Sequence, residues 1–358
     1  MVREVFYEDI KRRAQEIYEQ YKYLMKEILK INPNSIECQL KVYLKDDMKL
    51  GGKAWCKNGI DNIQINKGVI DNFFDYFYNL TKKCSEDFLS MSPFLVGEIE
   101  SEEVSYEGII YDNNRKAKII DSKAIDLSLA SLLNIFVARF ILTHELGHLL
   151  NGHCRYVNSK KCGSVQYIPI FYNDIDGNTS AISPLDWRTL EMDADAFAAT
   201  DNFRNLVLLY NKFEGKIDSK LNIQPIDLFY WWSFAIRSNF LLMQSILNDN
   251  DYKQDMTYLP SVARWSLIIA SIDEIINSDM YKINYRSGDS KKKIMKVVIE
   301  GSIYAEKYFN EKFLTEYNWI KEIKENKDYY KYVTEINMNW EKIGRELVCF
   351  SRLPLYNF

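Results

Sequence analysis

KAIDLSLASLLNIFVARFILTHELGHLLNGH, residues 123–153, is the longest apolar-periodic segment of the chain. Its apolar positions recur at helical spacing, which predicts one long buried helix over 123–153. All three histidines of the 358 residues, His144, His148 and His153, fall within ten positions at the end of this segment. On a helix with 3.6 residues per turn, His144 and His148 stand one above the other on the same face, with Glu145 beside them. Two imidazoles so placed can present nitrogens to a single ion.

His144-Glu145-Leu146-Gly147-His148 is the HExxH arrangement of zinc peptidases, two metal ligands and a carboxylate that serves as general base. With three histidines in the chain, such a match arises by chance on the order of once in several hundred sequences of this length. A catalytic zinc site needs a third protein ligand and one open position. The HExxHxxGxxH form of that ligand fails here, because Asn151 stands where the glycine would be and Cys154 where the histidine would be. The other form places a glutamate on a later helix. Ser183 as N-cap, Pro184 at the first helical position and Asp186 at the third predict a helix from 184 to about Lys212. Glu191 and Asp195 lie one turn apart on it, and Ala194 and Ala198 are small enough for another helix to approach closely. Glu191 is therefore read as third ligand. Asp195 is read as the acceptor for the outer N–H of a ligand histidine, outside the ion's immediate shell. The reverse assignment, with Asp195 as ligand, stays open, as does Glu191 as an ordinary helix carboxylate. His153 has two readings: a helix C-cap after Gly152, or a contributor to substrate binding.

The remainder is read more coarsely. Residues 3–31 predict an amphipathic helix that stops near Asn32-Pro33. Alternation over 36–44 and the run Ile60–Ile65 predict strands, Gly51-Gly52 a turn, and Val69–Leu80 a helix. Residues 97–120 give a weak strand signal with a turn at Asp112-Asn113-Asn114. The stretch 154–182 reads as an irregular loop, and helices follow near 225–248, 260–278, 291–324 and 328–350. The expected fold is mainly α (α+β): a zincin-like core with its active-site helix, a small N-terminal sheet and a helical C-terminal region. Three regions are expected, 1–120, 121–280 and 281–358, although no linker separates them and one compact unit fits equally.

Composition narrows the function classes. Hydrophobic residues make up 47 % and aromatics 14 %, with only 7 Pro and 14 Gly, which excludes disordered and collagen-like chains. The net charge of −4 lacks the basic excess of a nucleic-acid-binding domain, so no nucleic-acid partner is expected. The six cysteines (38, 56, 84, 154, 162 and 349) contain no CxxC pair and read as reduced thiols. The acidic N-terminus does not resemble a signal peptide. The runs Leu127–Ala138 and Leu228–Ile236 end at Arg139 and Arg237 and read as buried helices, so neither membrane association nor export is expected. The cytoplasm is the expected location.

The run His144–His153, followed by Glu191-Met192-Asp193-Ala194-Asp195, resembles gluzincin-type metallopeptidases, and among them the Lit-type phage-exclusion peptidases. It is also similar to the gluzincins that include the heat-shock membrane protease and the prenyl-protein-processing endopeptidase. In the last of these an H-P-P-x-x-x-R segment follows the third ligand. Tyr258-Leu259-Pro260-Ser261-Val262-Ala263-Arg264 has the same spacing with Tyr258 in place of the histidine. The resemblance spans about residues 125–270. It implies one zinc ion on His144, His148 and Glu191, Glu145 as general base, Arg264 as a buttress or oxyanion partner, and Tyr258 as a hydrogen-bond donor to the oxyanion or a packed aromatic. The implied function is an intracellular zinc endopeptidase whose partner is a protein or peptide substrate. Rival expectations are a peptidase dedicated to one repressor or antitoxin, a metal hydrolase of non-protein amides, and a non-catalytic or toxin-like binding protein with a structural zinc closed by a fourth ligand such as Cys154.

Overall fold

The computed structural model describes residues 11–12, 14–23, 39–83, 109–111, 117–119, 122–160, 168–169, 182–212, 225–247, 259–278, 283 and 289–353. The protein is mainly helical with a small N-terminal sheet, as the hydrophobic periodicity predicts. Within the predicted first helix, α1 is described over residues 14–23. Strands β1 (Gln39–Lys45), β2 (Gly52–Lys57) and β3 (Ile60–Asn66) lead into α2 (Lys67–Lys83). The sheet order is β1-β3-β2, closed at one edge by the two-residue β6 (Ile168–Pro169). β1 runs parallel to β3, whereas β2 pairs antiparallel to it through a turn at Asn58-Gly59. The predicted strands at 36–44 and 60–65 are thus β1 and β3, while Gly52, expected in a turn, opens β2. Short strands β4 (Ile109–Tyr111) and β5 (Ala117–Ile119) pair separately; the predicted turn between them lies outside the described residues.

The helices that follow are α3 (Ser122–Leu150), α4 (His153–Ser159), α5 (Pro184–Lys212), α6 (Asp227–Leu247), α7 (Ser261–Asn277) and α8 (Lys291–Phe313). α9 (Trp319–Glu325) and α10 (Lys327–Leu347) complete the order. The predicted helix 291–324 is therefore two helices. Leu314 adopts a left-handed conformation, the Asn310 side chain accepts from the Tyr317 amide, and Asn318 caps α9 through the Lys321 amide. Among the described residues Cys56, Cys154 and Cys349 are free thiols.

α3 is the axis of the molecule. Leu129–Leu150 is long and apolar enough to cross a membrane by length and composition, yet 83 % of that window is buried inside the protein. It packs against α2, α5, α6 and the inner sheet face, where Leu40, Ala54, Ile63 and Ile65 are buried. An all-round apolar helix demands such a surrounding shell. The buried apolar residues from Ala14 to Leu347 join one core. α5 begins as its sequence predicts, with the Asp186 amide donating to Ser183 Oγ at 3.1 Å.

The predicted single helix over 123–153 stops at Leu150. Gly152 takes φ +87°, a left-handed value that ends helices readily because glycine has no Cβ to clash. α4 then starts at His153, so the segment expected to be loop from 154 is helical to Ser159, and His153 opens a helix rather than capping one. The carbonyls exposed at the end of α3 find distant partners. Leu150 O accepts from the Arg352 amide at 2.8 Å, and Leu149 O accepts from Arg155 Nη2 at 3.0 Å. Arg155 Nε in turn donates to Phe350 O at 2.6 Å. The Arg352 guanidinium closes on Asp61 of β3 at 2.8 and 2.9 Å, and Asp61 also accepts from Tyr18 of α1. A Cβ on Gly152 would lie 2.4 Å from the Phe350 carbonyl carbon. Gly152→Ala is expected to lower stability by about 1–2 kcal/mol from the left-handed conformation alone, and further through displacement of residues 350–352. A urea melt with an unchanged midpoint would refute the docking of this segment.

Candidate metal centre

α3 and α5 cross with almost no side chain between them. A Cβ on Gly147 would stand 3.2 Å from Ala194 Cα and 3.3 Å from Phe197 Cβ, so glycine in the HExxH motif is what allows the approach. The helices run antiparallel, and a polar seam follows their contact: Asn151 to Asp193 (2.6 Å), His148 to Glu191, His144 to Asp195, Asn202 to Thr143 (2.7 Å) and Arg139 to Asp201 (2.7 Å). Buried polar groups require such partners.

At the middle of the seam His144 Nε2 and His148 Nε2 are 3.1 Å apart. Glu191 Oε2 is 3.4 Å from the first and its Oε1 3.3 Å from the second. Ligand atoms about 2.0–2.1 Å from a tetrahedral ion lie roughly 3.3–3.4 Å from one another. The three buried residues can therefore hold a metal ion, and among the described residues they form the one such group. Cys154 is buried but not part of it. Glu191, and not Asp195, completes the group that could hold the ion. Asp195 instead receives His144 Nδ1 at 2.9 Å, the place expected for a carboxylate that orients a ligand ring.

Arg264, near the start of α7, grips Asp195 with Nε at 2.7 Å and Nη2 at 2.6 Å, and its Nη2 lies 3.8 Å from Glu191. The guanidinium also sits 4.8 Å over the Phe240 ring. α7 is itself anchored where it begins, because buried Arg237 donates to the Ser261 carbonyl and pairs with Glu306. Arg264 thus acts as a buttress. Tyr258 lies outside the described residues.

Electrostatics mark the same spot. Burial opposes a charged His144, but Asp195 and Glu191 outweigh it and push its pKa up to about 10. In His148 burial prevails and the pKa falls to about 4. Burial disfavours ionised Glu191 and Asp195, yet the histidines and Arg264 hold both below the usual carboxylate range. A proton on His144 thus sits where a cation would bind, and the cation must displace it. Glu145 is fully buried and neither carboxylate oxygen has a hydrogen-bond partner. Such a group is costly to keep, and burial pushes its pKa up to about 8.

Asp193 and Asn151, two further residues of the seam, stand beside the motifs but carry no role that the sequence pattern indicates. Only the helix break at Gly152 brings His153 back toward them, with His153 Nε2 2.9 Å from Asp193 Oδ2. The Asn151-Gly152 pair is the local signal for that break. No family model, curated protein or solved structure matches this chain.

A raised folded-state pKa means that the folded protein binds the extra proton, so Glu145 weakens folding as pH rises through about 8. In the metal-free protein, Glu145→Gln is therefore expected to gain on wild type between about pH 5 and 9, by up to a few kcal/mol. Denaturant melts across that range check it; a difference independent of pH would contradict it.

Proposed function

We propose that this chain is a zinc-dependent endopeptidase of the gluzincin type, cleaving an intracellular protein in the cytoplasm. The observation that carries the reading is the spacing of His144, His148 and Glu191 around one point, with an unpartnered buried carboxylate next to it on the same helix. Two imidazoles and one carboxylate are the donor set of catalytic zinc sites that keep a position open. Zinc held there supplies a Lewis acid and a bound water that ionises near neutral pH, at about 7.

The protein's own residues supply the rest. Glu145 takes the proton from the attacking water and delivers it to the leaving amine. The positive charge of a cation bound beside it would favour the ionised carboxylate that this step needs. Asp195 fixes the His144 ring, and Arg264 fixes Asp195, so both act by positioning. Tyr258 keeps both readings, hydrogen-bond donor to the oxyanion or packed aromatic.

Glu145→Gln is expected to retain zinc and lose cleavage by at least about a hundredfold, whereas His148→Ala loses both. Mapping of new protein N-termini in cells expressing wild type or Glu145→Gln, with zinc content of both proteins, checks the proposal and identifies the substrate. Equal cleavage by the two forms would refute the mechanism. Bound zinc with no new N-termini would favour a non-catalytic binding protein instead.

A further inference from the structure

His148 differs from His144 in what stands behind it. His144 Nδ1 meets a carboxylate directly, whereas His148 Nδ1 is 2.9 Å from Nδ1 of another imidazole, His153. His153 is fully buried, and its Nε2 lies 2.9 Å from Asp193 Oδ2, which also accepts from Asn151 Nδ2 at 2.6 Å. Donor and acceptor bookkeeping then leaves one arrangement. A His148 that gives its Nε2 lone pair to a metal carries its proton on Nδ1. That proton requires a lone pair on His153 Nδ1, so His153 carries its own proton on Nε2, where it points at Asp193. We infer that His153 and Asp193 are positioning residues that fix the tautomer and ring orientation of His148 through an imidazole-to-imidazole hydrogen bond. This rests on the metal reading of the site, and it assigns His153 to neither the helix cap nor the substrate contact expected from sequence.

The relay also gives the helix break a task. Had α3 continued through Gly152, His153 would be five positions past His148 on the same rod and turned away from it. The left-handed turn at Gly152 brings the two rings to 5.1 Å between centroids, with the planes at 68°. The seam then holds Asp193 in line from the facing helix.

Selective ¹⁵N-histidine labelling tests the assignment, since the chain has only three imidazoles. In the zinc-loaded full chain His148 is expected to carry its proton on Nδ1 and His153 on Nε2. Zinc affinity, measured at one pH against a chromogenic chelator, should weaken about ten- to hundredfold in His153→Leu. His153→Asn, whose amide oxygen can accept where Nδ1 stands, should recover most of that loss. Asp193→Ala, which leaves the ring in place, should weaken zinc several-fold and provides the readout if His153→Leu does not fold. A His153 proton on Nδ1, unaltered affinity in His153→Leu and Asp193→Ala, or equal losses in His153→Leu and His153→Asn overturns the relay. If wild type binds zinc and these variants bind it equally, the relay falls and the metal reading stands. If wild type takes up no zinc, both fall.

Discussion

Glu145, Glu191 and Asp195 are buried close together, and among the described residues a single guanidinium, Arg264, answers them. Like charges at that range cannot all stay ionised in a medium of low polarity. The pKa values of His144 and Glu145 are both raised there, which favours a proton on each. A divalent ion would answer the same excess of negative charge without either proton. Much of the surrounding architecture then follows as support, with Asp195 held by Arg264 and the His144 ring held by Asp195.

That support reaches outward in layers. Arg264 holds Asp195 from α7, and buried Arg237 and Glu306 hold the start of α7. The facing pair Gly147 and Ala194 sets how near the two site-bearing helices come. With larger residues at that crossing the histidines and Glu191 would separate, since close-packed interiors accommodate added volume by shifting backbone. The metal group is accordingly a property of helix packing as much as of the residues that compose it.

Much of this is legible in the amino-acid sequence alone. The i, i+4 pair His144/His148 and the capped helix carrying Glu191 and Asp195 are local patterns, and local patterns are what periodicity and capping rules read. The start of α5 at Pro184 follows from Ser183 in the same way. What escapes such rules is set by distant contacts or by a single residue's conformation. Gly152 looks like any helix-end glycine until Phe350 is seen against it. Leu314 interrupts 291–324 with no Gly or Pro to announce it, because Asn310 side-chain bonds hold the turn. Gly51-Gly52 hides β2, although Asn58-Gly59 after it is a strong hairpin signal. Asp193 shows no role in the pattern, because its partner His153 depends on the break between α3 and α4.

The docking of Ser351 and Arg352 on the Leu150 carbonyl has a temporal side. Ser351 lies 201 positions beyond its partner, so a ribosome needs about 10–40 s after completing α3 before that partner exists. Until then the helix end with His148 and His153 lacks its outer brace, and the nascent chain carries the imidazoles without the finished enclosure around them. Enclosure of that helix end is thereby tied to a segment made about two hundred positions later.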